Sequence, residues 1–135
     1  MVIKTFLPKV DRNGIPHYGR EAPDKMLEKN LQIQTADYLR WKHKDVVAIH
    51  IANERSGKVT KGQLALLSRQ GMRSGASDWL ILKPCTAFIE LKVANGRLEK
   101  TQIDFLTEMQ GLGFPIFVCW NLDAFRFVIE QLCHT

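Results

Sequence analysis

Apolar positions along this 135-residue chain follow two spacings, and the change from one to the other predicts its order of elements. Short apolar runs, typical of buried strands, lie at residues 46–51, 77–82, 88–92 and 115–120. Helical spacing appears at residues 23–41, 61–69 and 98–111. We therefore predict an α/β fold in which helices flank a mixed central sheet, in the order α-β-α-β-β-α-β. Residues 121–131 are predicted to add a closing helix or strand.

The first 22 residues do not show either spacing. They carry Pro8, Gly14, Pro16 and Gly19 among basic residues, a pattern that predicts an extended arm leading to the first helix. The remaining residues, 23–135, are predicted to form one domain, because a chain of 135 residues is too short for two hydrophobic cores.

Charged residues interrupt the two central apolar runs, which are predicted to pair as a hairpin through a turn at residues 83–86. Alternation places Glu90 and Lys92 on one face of their strand, and Asp78 begins the partner strand. Two carboxylates and an ammonium then share one end of the sheet. Buried carboxylates are costly and repel one another, so a divalent cation is the simplest explanation. The alternative is an ordinary salt-bridged strand without a metal.

Two helices carry polar residues where the apolar stripes predict a core. Gln102 lies within the apolar face of residues 98–111, where an unpaired amide would cost about 1–3 kcal/mol, so the polar cluster of the hairpin is its natural partner. Glu28 flanks the stripe of the first helix together with Gln32 and Thr35. Glu28 is either functional or an ordinary surface residue, and Glu54 is an alternative for the same role.

The loop before Asp78 contains Gly71 and Gly75. Because glycine has no Cβ, we interpret this loop as one that lets a substrate approach the acid closely.

This series of residues resembles the VRR-NUC group of the PD-(D/E)xK nuclease superfamily, in particular its small stand-alone bacteriophage members. The resemblance covers residues 28–120, with residues 23–135 as the VRR-NUC nuclease domain, and implies a restriction-endonuclease-like fold. Its specificity comes from spacing: Glu90 follows Asp78 by twelve residues (90 − 78), and Gln102 follows Lys92 by ten (102 − 92). Ser77 and Ala52 stand where relatives commonly have proline, and neither change removes a ligand.

The resemblance implies phosphodiester hydrolysis dependent on Mg²⁺ or Mn²⁺. Asp78, Glu90 and the backbone carbonyl of Leu91 would hold the metal, since such cations prefer oxygen ligands. Lys92 would orient or help activate the attacking water, and Gln102 would position Lys92 or that water. Glu28 would bind a second metal, directly or through water.

The net charge indicates the class of partner, and the cysteine content indicates the cellular compartment. The formal charge of +5 and the isoelectric point near 9.3 favour a polyanionic partner. Three cysteines without metal-ligand spacing, and the absence of an apolar run long enough for a signal peptide or a membrane span, predict a cytoplasmic protein, in a bacterial host cell if phage-encoded. The expected DNA contacts are Arg55, Lys58, Lys61, Arg69 and Arg73, with Lys4, Lys9, Arg12 and Arg20 as an arm.

The function that the resemblance implies is a structure-specific DNA endonuclease. It would act as a homodimer on branched DNA such as four-way (Holliday) junctions, because two sites related by a two-fold axis can cut two strands symmetrically. Two alternatives remain at this point: a non-catalytic nucleic-acid-binding module of the same fold, and an RNA-cleaving relative.

Overall fold

The computed structural model describes residues 5–51 and 60–134, and a six-stranded mixed sheet forms its centre. The strands are β1 (Lys9–Val10), β2 (Pro16–Tyr18), β3 (Val47–His50), β4 (Trp79–Lys83), β5 (Ala87–Leu91) and β6 (Ile116–Cys119). Their order across the sheet is β1-β2-β6-β5-β4-β3. β6 runs parallel to both of its neighbours, and the other pairs are antiparallel.

Four helices complete the described part of the chain. They are α1 (Glu28–Lys42), α2 (Lys61–Arg69), α3 (Lys100–Gly111) and α4 (Leu122–Cys133). The predicted α-β-α-β-β-α-β order is confirmed, and the closing element is a helix that begins with Asn121 as its N-cap. Among the described residues, no helix combines the length and the apolar character that a bilayer crossing requires.

The two faces of the sheet bury different sets of side chains. Ile89 and Leu91 of β5 lie in the core formed with α1 and α4. Phe88 of the same strand lies with Val118 in the core formed with α3. This alternation is the predicted one, and it places Glu90 on the face of β5 that α3 covers.

The N-terminal residues differ from the expected extended arm. β1 and β2 form a hairpin that extends the sheet beyond β6, and Ile15 between them is fully buried. The backbone of β6 would otherwise present an unpaired edge, and the N–H of Trp120 donates to the carbonyl of Tyr18 at 3.0 Å. The hairpin is stabilised by pairing with β6, a strand about a hundred residues later in the chain. Its own sequence shows little alternation of apolar and polar residues.

The first helix begins later than its sequence predicts. Its start was expected at Pro23 and Asp24, yet α1 begins at Glu28. The N–H of Asp24 donates to the carbonyl of Trp120 at 2.8 Å, and its carbonyl accepts from the N–H of Ala94 at 2.7 Å. Because both backbone groups of Asp24 bond other segments, this residue cannot belong to the helix.

Candidate metal centre and active site

Three carboxylates from three elements converge at one end of the sheet. Glu28 is the first residue of α1, Asp78 directly precedes β4, and Glu90 is the penultimate residue of β5. One carboxylate oxygen of each lies within 4.8 Å of the other two. The antiparallel pairing of β4 with β5 brings the start of the first strand beside the end of the second, which explains why residues twelve apart in sequence meet. A group of three such acids is able to bind a metal ion.

Asp78 is held through both its side chain and its backbone. Its Oδ2 accepts a hydrogen bond from the N–H of Leu91 at 2.7 Å. Its carbonyl accepts from the N–H of Ile51 at 2.8 Å and from Nδ1 of His50 at 2.9 Å. A carbonyl oxygen can only accept, so Nδ1 of His50 carries the proton in this contact. His50 therefore makes a local hydrogen bond that helps to fix the start of β4.

Glu90 is the most enclosed of the three acids, with a residue exposure of 2%. Its Oε2 accepts from Nε2 of Gln102 at 3.2 Å and lies 3.7 Å from Nζ of Lys92. Its Oε1 is buried and has no hydrogen-bond partner among the described residues. A buried carboxylate oxygen without a partner is costly, and a hard cation would satisfy it. The donor set therefore fits a divalent metal.

The electrostatics of the site oppose ionisation of its acids. Burial raises the pKa of Glu90 well above the ordinary carboxyl value, and the neighbouring charges of Asp78 and Glu28 raise it further. Burial also raises the pKa of Asp78, against the opposing effects of the Leu91 N–H and the Lys92 charge. A single ammonium does not compensate the acids fully, and a bound cation would favour their charged forms.

Lys92 and Gln102 both contact Glu90. Lys92 is almost completely buried, with 6% exposure, and its N–H donates to the carbonyl of Cys119 at 3.0 Å. Gln102 has its predicted partner in the polar cluster of the hairpin. Its Oε1 also accepts from the N–H of Glu99 at 2.8 Å as part of a capping box at the start of α3. The same amide therefore caps the helix and holds Glu90, whereas its expected role was to position Lys92 or a water.

One glycine of the loop before Asp78 allows a close approach between two segments of the protein. Gly75 has a φ of +81°, and a Cβ on it would lie 2.2 Å from the carbonyl oxygen of Thr101. The missing side chain lets this loop pass against the first turn of α3, so the close approach at Gly75 is to protein backbone. Gly71, at φ +100°, faces open space.

Thr35 links the first helix to β4. Its place on the flank of the helix, beside Glu28, only suggested a role for it. Its Oγ1 accepts from Nε1 of Trp79 at 2.9 Å, and both residues are buried. This bond joins α1, which begins with Glu28, to β4, which follows Asp78. The spacing of seven residues from Glu28 to Thr35 (35 − 28), two helical turns, was the available signal.

The residues expected to contact DNA are distributed unevenly around the site. Lys61 and Arg69 are exposed at the two ends of α2. Arg73 instead pairs with Glu108 of α3 at 2.8 Å and lies over the ring of Phe105. Lys9 lies in β1, Arg12 lies in the turn after it, and Arg20 follows β2. The remaining expected contacts, together with the alternative acid, lie outside the described residues: Lys4, Glu54, Arg55 and Lys58.

Comparison with known proteins identifies the family. A sequence profile of the VRR-NUC domain matches residues 28–120. The chain belongs to the VRR-NUC domain family. The matched segment begins at Glu28 and ends at Trp120, so it contains all three carboxylates, Lys92 and Gln102. The VRR-NUC domain is a nuclease-type domain, in keeping with an acidic cluster able to bind a metal.

A solved structure described as a VRR_NUC domain protein shares the fold. The two chains superpose with a TM-score of 0.64 at 20% sequence identity, over 81% of this chain and 89% of the other. No curated protein matches the sequence. The sheet of this chain extends beyond the matched segment to the N-terminal strands β1 and β2.

Proposed function

We propose that this VRR-NUC domain is an endonuclease that hydrolyses phosphodiester bonds in DNA with the help of Mg²⁺ or Mn²⁺. The observation that carries the proposal is the unpartnered, buried Oε1 of Glu90 within a group of three carboxylates. Structural ion pairs do not need such an arrangement, whereas a metal-dependent hydrolase does.

The metal ligands in this proposal are the Asp78 and Glu90 carboxylates together with the carbonyl of Leu91. The hydrogen bond from the Leu91 N–H to Asp78 supports the third ligand, because it brings the backbone of that residue to the acids. Glu28 would bind a second metal, directly or through water. A bound Mg²⁺ or Mn²⁺ supplies Lewis acidity at a phosphate oxygen and lowers the pKa of a coordinated water.

Protein side chains supply the rest of the proposed chemistry. The Lys92 ammonium, held by Glu90 at 3.7 Å, would orient the attacking water and offset negative charge that develops on the phosphate. Gln102 would act through Glu90, since its Nε2 fixes one oxygen of that carboxylate and leaves Oε1 directed elsewhere.

We also propose that the protein is a small nuclease of the PD-(D/E)xK superfamily, phage-encoded and acting in the cytoplasm of a bacterial host. Its substrate would be branched DNA such as four-way junctions, cut by a homodimer. The basic character of the chain and the exposed Lys61 and Arg69 on α2 support a nucleic-acid substrate.

The test is cleavage of matched four-way junction, flap and linear DNA duplexes, and of one RNA duplex, in Mg²⁺ or Mn²⁺. We expect junction cleavage that Glu90→Gln abolishes while its thermal melt remains cooperative. Equal cutting of all DNA shapes would remove structure specificity, and preferential cutting of the RNA would make the protein an RNA-cleaving relative. Binding without any cutting in either metal would leave a non-catalytic module.

A further inference from the structure

A cavity of about 350 Å³ lies on the α3 side of the sheet, on the far side of β6 from Glu90. The turn between β1 and β2 forms one wall, and the segment that leads into α3 forms the other. Three arginines and two apolar side chains are among the residues that line it: Arg12, Arg20, Arg97, Leu98 and Ile103. We name this cavity the arginine pocket. Its arginines lie 77 or more residues apart across the two walls (97 − 20), so no local sequence signal indicates it.

The charge of the arginine pocket is poorly compensated. Within the described ranges, neither Arg12 nor Arg97 has an ion-pair partner. Arg20 lies over the ring of Trp120 at 5.3 Å, a contact that leaves its guanidinium free to bind an anion. Of the pocket-lining residues that the structure describes, Asp11 is the only acid, and it is engaged with His17 at 2.7 Å. Three guanidinium groups around a small cavity favour a phosphate group as ligand.

A chain of hydrogen bonds that begins at the buried Trp120 holds the wall that carries Arg12. Nε1–H of Trp120 donates to Nδ1 of His17 at 3.0 Å, so the proton of a neutral His17 lies on Nε2, which donates to Oδ2 of Asp11. Oδ1 of Asp11 then accepts from the backbone N–H groups of Asn13 and Ile15 at 2.8 and 3.1 Å. The turn between β1 and β2 is thereby fixed to β6, and the position of Arg12 with it.

The arginine pocket adjoins the acidic cluster along the sheet. Val118 of β6 pairs with Glu90 on one side and with His17 on the other. Two strand spacings of about 4.8 Å place the backbones of Glu90 and His17 about 10 Å apart. A distance of this size spans only a few nucleotides of one DNA strand. A strand with a phosphate at the metal centre can therefore reach the pocket.

We propose that the arginine pocket binds a nucleotide of the cleaved DNA strand, a few steps away from the phosphate that is cut. Its guanidinium groups contact the backbone phosphate, and Leu98 and Ile103 contact the sugar or base. This inference rests on the proposed nuclease function for the position of the strand, and on the pocket itself for the chemistry of the ligand.

The binding experiment measures fluorescence anisotropy of a labelled DNA oligonucleotide in EDTA, so that no cleavage occurs. The variants are Arg12→Gln, Arg97→Gln and their combination. The matched control is Arg40→Gln, an exposed arginine of α1 paired with Asp37 at 3.3 Å. We expect the double variant to raise Kd about tenfold or more and to reduce the slope of log K against log salt by about 1–2. Each single variant should show part of the effect, and the control should stay within about twofold.

Cleavage by the same variants separates this inference from the proposed function. The double variant should raise KM for DNA about tenfold while kcat changes little, because the pocket lies away from the reacting phosphate. Wild-type Kd, salt slope and KM in a double variant that melts like the wild type would overturn the pocket and leave the nuclease intact. Loss of DNA affinity in the double variant of a protein that cuts nothing would support the pocket and overturn the nuclease.

Discussion

The carboxylate of Asp78 accepts the backbone N–H of Leu91 at 2.7 Å, and this bond continues the β4–β5 pairing one step beyond its last ladder pair, Trp79 with Ile89. An acid that was expected only to bind a metal thus also closes the end of the hairpin. Its structural role and its proposed metal role use the same side chain, so substitutions must be chosen to separate them.

Asp78→Asn and Asp78→Ala should separate these two roles. Asparagine keeps an oxygen that can accept from the Leu91 N–H, whereas alanine leaves that N–H unsatisfied at a cost of about 1–3 kcal/mol. We expect both variants to lose Mn²⁺ binding in calorimetry and cleavage in Mg²⁺, and only the alanine variant to lose stability in urea unfolding. Mn²⁺ binding that survives in Asp78→Ala would show that Asp78 is not a ligand.

Stability in the absence of metal should depend on pH through Glu90. Folding raises the pKa of this buried carboxyl, so its protonated form favours the folded state. That contribution is complete below the ordinary carboxyl pKa of about 4.3 and is lost as pH rises through the folded value. In EDTA, the wild type should therefore lose Tm relative to Glu90→Gln, which has no such group, as pH rises from the ordinary carboxyl range through the raised pKa of Glu90.

Metal should reverse this loss. At about pH 8, Mn²⁺ at a hundred times its Kd should stabilise the wild type by about 2.7 kcal/mol, because it binds the folded state alone. The gain should be smaller at about pH 5.5, where protons compete with the cation, and absent in Glu90→Gln. A wild-type melt that does not respond to Mn²⁺ at about pH 8 would contradict the metal centre.

Gln102→Glu should impair catalysis with little loss of stability. A glutamate at this position still accepts the N–H of Glu99 and caps α3, but it cannot donate to Glu90 and adds a negative charge beside it. We expect kcat to fall about tenfold or more with KM nearly unchanged, and the apparent affinity for Mn²⁺ to change. Gln102→Ala, which also loses the cap, should cost a further 1 kcal/mol or so of stability. Equal kcat in the glutamate and wild-type proteins would assign Gln102 to capping alone.

Gly75→Ala should be much more destabilising than Gly71→Ala. Both residues have positive φ, so each alanine adds backbone strain on the order of 1–3 kcal/mol. Only at Gly75 would the new Cβ also meet the Thr101 carbonyl oxygen, at 2.2 Å. Urea unfolding should show the larger loss for Gly75→Ala, together with reduced cleavage, since the loop before Asp78 and the start of α3 would separate. Similar losses of stability for the two variants would show that the cost comes from backbone strain at positive φ and not from the contact with Thr101.

The pattern of apolar and polar residues predicted those helices and strands whose physical cause lies within one short segment of the chain. The bounds of α2 agree with the prediction, because Thr60 and Gln63 form a capping box that marks its start. The alternation in β5 placed Glu90 on its observed face, and an amide on an apolar stripe predicted that Gln102 meets the hairpin. In each case a short stretch of sequence contains the physical cause.

The sequence did not predict features that depend on contacts between residues far apart in the chain. The start of α1 is set by backbone bonds from Asp24 to Trp120 and Ala94. The purpose of Gly75 is set by the backbone of Thr101, and the burial of His17 by the ring of Trp120. Sequence could identify His17 and Arg97 only as ordinary polar residues, because the elements that make their surroundings are brought together by the fold.

The parallel pairing of β2 with β6 also determines when the sheet can be completed during synthesis of the chain. His17 pairs with Val118, 101 residues later (118 − 17), so the β1–β2 hairpin cannot join the other strands of the sheet until β6 has been synthesised. Contacts of such long sequence separation form slowly, since the loop between them must close first. The arginine pocket depends on Trp120 through His17, and the acidic cluster depends on it through Asp24, whose backbone bonds set the start of α1 at Glu28. A growing chain would therefore complete both its acidic cluster and its arginine pocket only after Trp120 has been synthesised.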